Sequence, residues 1–325
     1  MRAYRPLCFV LVGFGLLAAC VSDSGVKSSA DAGADSASGG SSSGDATTSE
    51  TSTSSSSSSS SSGGGDGGQE LPNLGCNVAV THSIFHVNVG SAAFDGQGQL
   101  TEWRNLVGPE KGQPEGTVGK ISRGTINNLP TVSFENTRNT NQDPLPTRRV
   151  RFQNVGKIIS GPFALFVVGN HRFDFSPAYD ASSVGATYFF SGGQASRLQL
   201  MGRYAVASGV NEGFGALFYN DQVIADRVGV YSDTDFLDAQ HLYEVIDVID
   251  GQGLSASLYV DGNLMPVTNH ATNRAAATGT EIILGASNRT DQMLAGSISE
   301  VVLLSQPTPE EVGCIRQRLK TKYGK

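Results

Sequence analysis

Three acidic residues, Glu244, Asp247 and Asp250, follow one another at a spacing of three in a β-prone segment. Cleavage of a glycosidic bond needs two carboxyl groups that reach the same bond from either side. Because side chains alternate between the two faces of a strand, residues three apart point to opposite faces. The spacing therefore argues against a catalytic pair and indicates a strand at a sheet edge or lined by solvent.

Other spacings that could bind a phosphate or a metal fit structural roles better. Gly251, Gly253 and Ala256 match the spacing of a dinucleotide-binding loop, but the residues after them favour a strand. No helix N-terminus would then face a pyrophosphate. His82 and His86 are four residues apart, which suits a shared metal only on a helix, and they lie in a β-prone run. We expect a turn and two structural histidines.

Residues 1–20 have the features of an export signal. Two arginines precede an apolar run, 7–19, that is too short to span a membrane. The run ends in LAAC at 17–20, which resembles the bacterial lipobox and implies cleavage and acylation at Cys20. An ordinary secretory signal with a chance cysteine is the alternative. Val21 replaces the Asp that retains such proteins in the inner membrane, so the resemblance implies the outer membrane and a lipid anchor.

Residues 21–72 are rich in Ser, Gly, Thr and Asp and include an unbroken run of serines at 54–62. Such a segment cannot bury enough apolar surface to fold, which predicts a disordered linker. The alternative is a serine-rich recognition or modification tract. The linker contains seven acidic residues and one lysine, so most of the net charge of −7 lies here. The nearly neutral remainder offers no basic surface, and we expect no nucleic-acid partner.

Residues 73–325 are predicted to form one all-β domain, because short β-prone runs alternate with Gly, Asn, Asp and Ser clusters. A single helix ends the chain: Thr308 and Glu311 form a capping box, and Val312, Ile315 and Leu319 share one stripe. The predicted strands are 77–87, 130–134, 150–155, 163–168, 187–190, 197–201, 216–219, 227–231, 242–249, 255–260, 280–284 and 297–304.

The chain has four cysteines. Cys8 would leave with the signal and Cys20 would carry lipid. Cys76 and Cys314 remain, and an even pair in an exported protein favours a disulfide. The bond would join the first strand to the terminal helix.

Three local patterns resemble the concanavalin A-like lectin/glucanase superfamily, in particular its laminin-G-like bacterial members. The resemblance covers roughly residues 78–325 and implies a jelly-roll sandwich of two antiparallel sheets with a short C-terminal helix. Asn128 stands where the family pattern has Gly. The patterns are LTEWRN (100–105) with INNLPTVSF (126–134); HLYEVIDVID (241–250) with SLYVDG (257–262); and ILGA (283–286) with LAGSISEV (294–301) and KYG (322–324).

The resemblance also implies a metal. Laminin-G-like domains often hold Ca²⁺ at a loop rim, and Asp233, Asp235 and Asp238 place three carboxylates in one loop. A solvated turn is the alternative. No other cofactor is expected.

Ligand-binding residues cannot be assigned from the sequence. A sugar site would need exposed aromatic side chains, although packing in the core is the expected fate of each candidate. Arginines at 148, 149 and 151 could meet an acidic polysaccharide or protect a strand end. The aromatic candidates are Trp103, Tyr179, Tyr188, Tyr204 and Tyr231.

These features predict a surface-tethered lipoprotein with a non-catalytic binding module for carbohydrate or a cell-surface partner. A divergent glycoside hydrolase of the concanavalin A-like glucanase type is the alternative, and a purely structural surface protein is a third.

Replacing Cys20 with Ser should abolish membrane association, because the acylated thiol is the expected attachment. Fractionation of cells that express the wild-type and Cys20→Ser chains tests this. A variant that still sediments with membranes would show that the lipoprotein interpretation is wrong.

Overall fold

The computed structural model describes residues 68–71, 74–117, 119–136, 148–156, 162–172, 185–192, 196–205, 215–220, 228–232, 236, 238–250, 253–266, 268–269, 280–286 and 294–325. This part of the chain forms strands and one α-helix. They are β1 Gly68–Glu70, β2 Asn77–Ala79, β3 Ser83–Asn88, β4 Ala92–Phe94, β5 Leu100–Arg104, β6 Lys111–Glu115, β7 Lys120–Ile126, β8 Leu129–Glu135, β9 Arg149–Phe152, β10 Phe163–His171, β11 Gly185–Gly192, β12 Ser196–Ala205, β13 Gly215–Asn220, β14 Val228–Tyr231, β15 His241–Asp250, β16 Gly253–Val260, β17 Asn263–Leu264, β18 Thr268–Asn269, β19 Ile282–Leu284, β20 Ala295–Ser305 and α1 Pro309–Tyr323.

Eight strands form a sheet that we call the helix-covered sheet. Its order is β17-β16-β15-β10-β20-β8-β7, and β3 pairs with β20 beside β8. One edge of β20 pairs with β10, while β8 and β3 share the other edge, β8 along its first half and β3 along its second. Strand β10 is buried along its whole length. This burial explains why its sequence is apolar with almost no alternation.

Ten strands form the second sheet, in the order β18-β14-β13-β12-β11-β19-β9-β6-β5-β4. The pairings in both sheets are antiparallel. Together the sheets form the predicted all-β jelly-roll sandwich with a C-terminal helix.

Two apolar clusters lie on opposite faces of the helix-covered sheet. The larger one, with Trp103 and Leu165, joins this sheet to the second sheet. The smaller one places Phe166 against Ile315 and Leu319 of α1. Because Leu165 and Phe166 are neighbours in β10, they point to opposite faces. The sheet is therefore apolar on both faces and needs α1 as a cover.

Helix α1 begins and packs as the sequence predicts. Thr308 Oγ1 accepts the N–H of Glu311 at 3.2 Å, and the Glu311 carboxylate accepts the N–H of Thr308 at 2.8 Å, which completes the capping box. Ile315, Leu319 and Tyr323 form the buried stripe. Within the described residues, no helix is both long and apolar enough to span a bilayer.

The predicted disulfide between Cys76 and Cys314 is present, with a Cα–Cα distance of 6.0 Å. It joins the residues before β2 to α1. Leu71 and Leu74 are buried in the same cluster as the α1 stripe. Strand β1 and Leu71 thus pack against the domain although they precede residue 73, where the sequence places its start.

The strand predictions differ from the structure mainly near the N-terminal end of the domain. The predicted strand 77–87 is two strands, β2 and β3, separated by a turn. Strands β4 to β7 are absent from the prediction because their sequences, such as KGQPE in β6, lack a run of β-prone residues.

The hairpin between β7 and β8 turns on Asn127 and Asn128, with φ of 51° and 65°. A two-residue turn with both φ values positive is type I′, which matches the twist of the strands. Asn tolerates this region better than other non-glycine residues. Asn128 therefore takes the place of the family's Gly and keeps a tight hairpin turn.

Replacing Asn128 with Val should lower the free energy of unfolding by about 1–2 kcal/mol, because a β-branched side chain is strained at positive φ. Asn128→Gly is the matched control and should leave stability unchanged or slightly higher. Urea unfolding of both variants measures the effect. Equal stabilities of the Val and Gly variants would contradict this account of the turn.

Candidate functional site

The buried glutamates in the described part of the chain each pair with a basic side chain. The four are Glu244, Glu281, Glu300 and Glu311. Each lies within 4.0 Å of a basic side chain. Three of the four pairs involve residues that lie at the interface between α1 and the helix-covered sheet.

Glu300, at the centre of β20, accepts three hydrogen bonds. His86 Nε2 lies 2.8 Å from Oε1, while Lys322 Nζ and the Tyr323 hydroxyl lie 2.6 and 2.8 Å from Oε2. Burial by itself would raise the pKa of Glu300, but the hydrogen bond and charge of His86 and the charge of Lys322 outweigh it and lower the pKa. Glu300 is therefore ionised at neutral pH and fixes the end of α1.

Glu244 of β15 is also covered by α1. Its Oε2 accepts a hydrogen bond from Arg316 Nε at 2.6 Å. The Arg316 guanidinium lies 4.3 Å from the centre of the Tyr259 ring. Burial raises the pKa of Glu244 despite the hydrogen bond from Arg316. A raised pKa is typical of a general acid, but the Glu244 side chain is completely inaccessible to solvent.

The expectation that this acidic segment is an edge or solvent-lined strand is therefore wrong for Glu244. Strand β15 lies inside the sheet, between β10 and β16, and α1 covers it. The side chains of Asp247 and Asp250 lie outside the described residues. Of the glycines that match the dinucleotide-binding spacing, Gly253 begins strand β16, so a strand and not a helix follows them.

The Tyr-Val-Asp-Gly pattern at 259–262 stabilises the end of the hairpin that β15 and β16 form. Asp261 accepts the N–H of Leu242 at 2.9 Å and lies 2.7 Å from Nδ1 of His241. Burial opposes these contacts, but they lower the pKa of Asp261. Gly262 has a φ of 80°, and a Cβ there would lie 2.8 Å from Lys320 Nζ. This pattern is structural and also contacts α1.

Two of the three arginines in the predicted basic cluster, Arg149 and Arg151, pair with carboxylates. Arg149 Nε lies 3.4 Å from Glu115, while Arg151 lies 2.9 Å from Glu115 and 2.7 Å from Glu281. Strand β9, which carries both arginines, lies between β19 and β6 and not at an edge. The cluster is therefore part of an ion-pair network and does not protect a strand end.

Trp103 packs in the core as expected. Its side chain is fully buried, and its Nε1 donates to the carbonyl of Asn88 at 2.8 Å. The backbones of Tyr188, Tyr204 and Tyr231 lie in strands, but their side chains, like all of Tyr179, lie outside the described residues. Packing in the core stays the prediction for those four side chains, with an aromatic platform for sugar as the alternative.

The loop predicted to bind calcium is described only at its end. Asp238 is exposed with a φ of 63°, and its N–H donates to the carbonyl of His171 at 3.0 Å. Asp233 and Asp235, like Cys20, lie outside the described residues. Where the chain is described, no three His, Cys, Asp or Glu side chains form a metal-binding group. His82 and His86 pair separately with Glu311 and Glu300, as structural histidines do.

Residues 178–312 match a family model described as the concanavalin A-like lectin/glucanases superfamily. The predicted resemblance is confirmed over these residues, and the pattern at 100–134 lies outside the match. The matched concanavalin A-like region begins before β11 and ends within α1, so it includes the Glu244 and Glu300 motifs. No curated protein matches the sequence.

Several solved structures are similar to this chain at low identity. Domain 4 of AbnA, a GH43 extracellular arabinanase from Geobacillus stearothermophilus in complex with arabinotriose, is 12% identical, with a TM-score of 0.43 over 73% of this chain and 98% of that one. The botulinum neurotoxin serotype G binding domain is 12% identical, with a TM-score of 0.46 over 74% of this chain and 51% of its own. The serotype D ligand binding domain in complex with N-acetylneuraminic acid is 10% identical, with a TM-score of 0.44 over 73% and 51%. The chain thus spans about half the length of these neurotoxin domains.

Replacing Glu300 with Gln should destabilise the domain, because it preserves shape but removes the buried charge that accepts hydrogen bonds from Lys322 and Tyr323. Hydrogen bonds to charged groups contribute about 1.5–3 kcal/mol. Glu102→Gln is the control, since Glu102 forms an exposed pair with Arg104 on the second sheet and should change little. Urea unfolding at neutral pH measures both, and similar losses in the two variants would contradict this role of Glu300.

Glu300→Gln should also change how the free energy of unfolding depends on pH in acid. Because the folded-state pKa of Glu300 is lowered, its charge stabilises the fold above the ordinary glutamate pKa of about 4.3 and ceases to do so as pH falls through the lower folded value. Glu244 has a raised pKa, so its ionisation at higher pH disfavours the folded state. Stability should therefore fall less steeply below about pH 4 in Glu300→Gln than in the wild type. Identical slopes would show that Glu300 does not contribute.

Proposed function

We propose that this chain is a lipid-anchored outer-membrane lipoprotein whose concanavalin A-like domain is a non-catalytic module that binds carbohydrate or a cell-surface partner. The observation that carries the proposal is that the buried glutamates are paired with basic side chains. Each buried glutamate in the described residues is ion-paired, and Glu244 and Glu300 lie beneath α1. Neither can reach a glycosidic bond from there.

A glycan is the favoured ligand because the matched superfamily is described by its lectins and glucanases. Lectins need a rigid scaffold with polar groups at its surface, and the sandwich provides the scaffold. Asp233, Asp235 and Asp238 are the proposed calcium ligands, and Ca²⁺ there would supply direct coordination of sugar hydroxyls or rigidity at the loop rim.

The lipid anchor is supported by the lipobox-like sequence ending at Cys20 and by the serine-rich segment that follows it. Such a segment has a root-mean-square reach of roughly 40 Å, which would separate the domain from the membrane surface.

A divergent glycoside hydrolase is the second candidate, and one observation favours it. The pKa of Glu244 is raised, as in a general acid. Against it stand the complete burial of the side chain and its bond to Arg316.

A polysaccharide and glycan array, probed with the chain lacking residues 1–20, tests the binding function. We expect binding that is lost with a calcium chelator and weakened in Asp238→Asn, with Asp95→Asn, an exposed turn residue elsewhere, as the matched control. Binding that is unchanged by chelator would support the lectin function but contradict the calcium site. No binding in either condition would contradict glycan recognition.

The same glycans test whether the chain is a glycoside hydrolase. Incubation with the chain should release no new reducing ends. Their release, and its loss in Glu244→Gln, would replace the binding function by the hydrolase.

A further inference from the structure

The chain enters the folded domain at a covalent crosslink. Strands β1 and β2 are three residues long and pair in a separate two-stranded sheet. An isolated pair of this size is marginally stable at best, so it would resist tension weakly. Cys76 lies directly before β2 and is bonded to Cys314. Tension on the preceding chain could peel β1 away from β2, but at Cys76 it passes through the disulfide to α1 and is not borne by β2.

Helix α1 is fastened to the domain on both sides of Cys314. Before it, Glu311 accepts the N–H of Ala79 at 2.8 Å and lies 2.9 Å from His82 Nδ1. After it, Arg316 and Lys322 each lie 2.6 Å from the buried glutamates of β15 and β20. The apolar stripe packs between these contacts. Release of the helix would have to break all of them together.

The strands beneath the helix distribute the load. Strand β15 lies between β10 and β16, and β20 pairs along both of its edges. Internal strands are held by hydrogen bonds on two sides, so force delivered to them is shared across the sheet. An edge strand would instead be peeled away one residue pair at a time.

We propose that the Cys76–Cys314 bond makes helix α1 the load-bearing attachment of this domain to its tether. The proposal rests on the proposed function, because tension develops only when the preceding chain is anchored and the domain holds a partner. The disulfide passes the tension to the middle of α1, and the buried ion pairs and apolar stripe pass it to β15 and β20.

Single-molecule force spectroscopy tests the proposal. One handle is placed at the N-terminus of the full chain and the other, through a click-reactive amino acid, at Gln113, which is exposed on β6 of the second sheet. In the oxidised chain, low-force extension should stop at Cys76, because only residues 68–75 of the folded domain precede the disulfide. Reduction of the same molecule should add a low-force step of about 24 Å, the extended length of residues 76–82 that precede β3. Extension beyond Cys76 before reduction, or no new step after it, would overturn the proposal.

Variants of α1 test the second half of the force path. In the oxidised chain, Arg316→Met with Lys322→Met should lower the rupture force. Arg104→Met, which breaks an exposed pair on the second sheet, is the matched control and should not. Equal effects of the two changes, or none from the double variant, would show that α1 does not bear the load. If the double variant does not fold, the reduction experiment on the wild type still decides the first half. Neither experiment uses glycan or membrane, so its failure is distinct from failure of the proposed function.

Discussion

The helix-covered sheet must be shielded from water on both faces, and the rest of the structure depends on how this is done. Its central strands are apolar on both sides, which is usual where a sheet is covered twice. The second sheet covers one face, and α1 with the N-terminal residues covers the other. Two buried carboxylates at this second interface are paired with side chains of α1 and β3. They define where the helix docks as well as stabilising it.

This constraint gives the family-like patterns a physical meaning. Glu300 of the Gly-x-Ile-x-Glu pattern and the Lys-Tyr pair at 322–323 are partners in one network, although they lie on different elements. Tyr259 of the Tyr-Val-Asp-Gly pattern supports Arg316, which in turn neutralises Glu244. The patterns preserve the docking of α1. They explain why the chain can match the superfamily while its acidic strand has no catalytic spacing.

The sequence predicted those parts of the fold that depend on neighbouring residues. The apolar run of β10, the capping box at Thr308 and the hairpin between β15 and β16 are local features, and their predictions agree with the structure. The cysteine pair was predictable because the predicted export and lipidation would leave only two thiols. Strand β6 was missed because its residues KGQPE join the sheet through pairing with β5 and β9 rather than through their own propensity.

The candidate site was harder to predict because its contacts join distant parts of the chain. His86 meets Glu300 across 214 positions, and Arg316 meets Glu244 across 72. Alternation along a strand showed that Glu244 and Asp247 point to opposite faces, but not that a helix covers one of them. The local sequence does not show that the arginines at 149 and 151 are paired, because Glu115 and Glu281 lie far from them along the chain. The calcium loop depends on Asp233 and Asp235, and it stays a prediction.

Native-state hydrogen exchange in increasing denaturant tests the central claim most directly. If α1 is an obligatory cover of the sheet, the amides of α1 and of strands β10, β15 and β20 should exchange through the same cooperative opening, with free energies that converge as denaturant rises. Exchange of α1 at a much lower free energy, while the three strands stay fully protected, would show that the sheet is stable without its helix and would contradict the account.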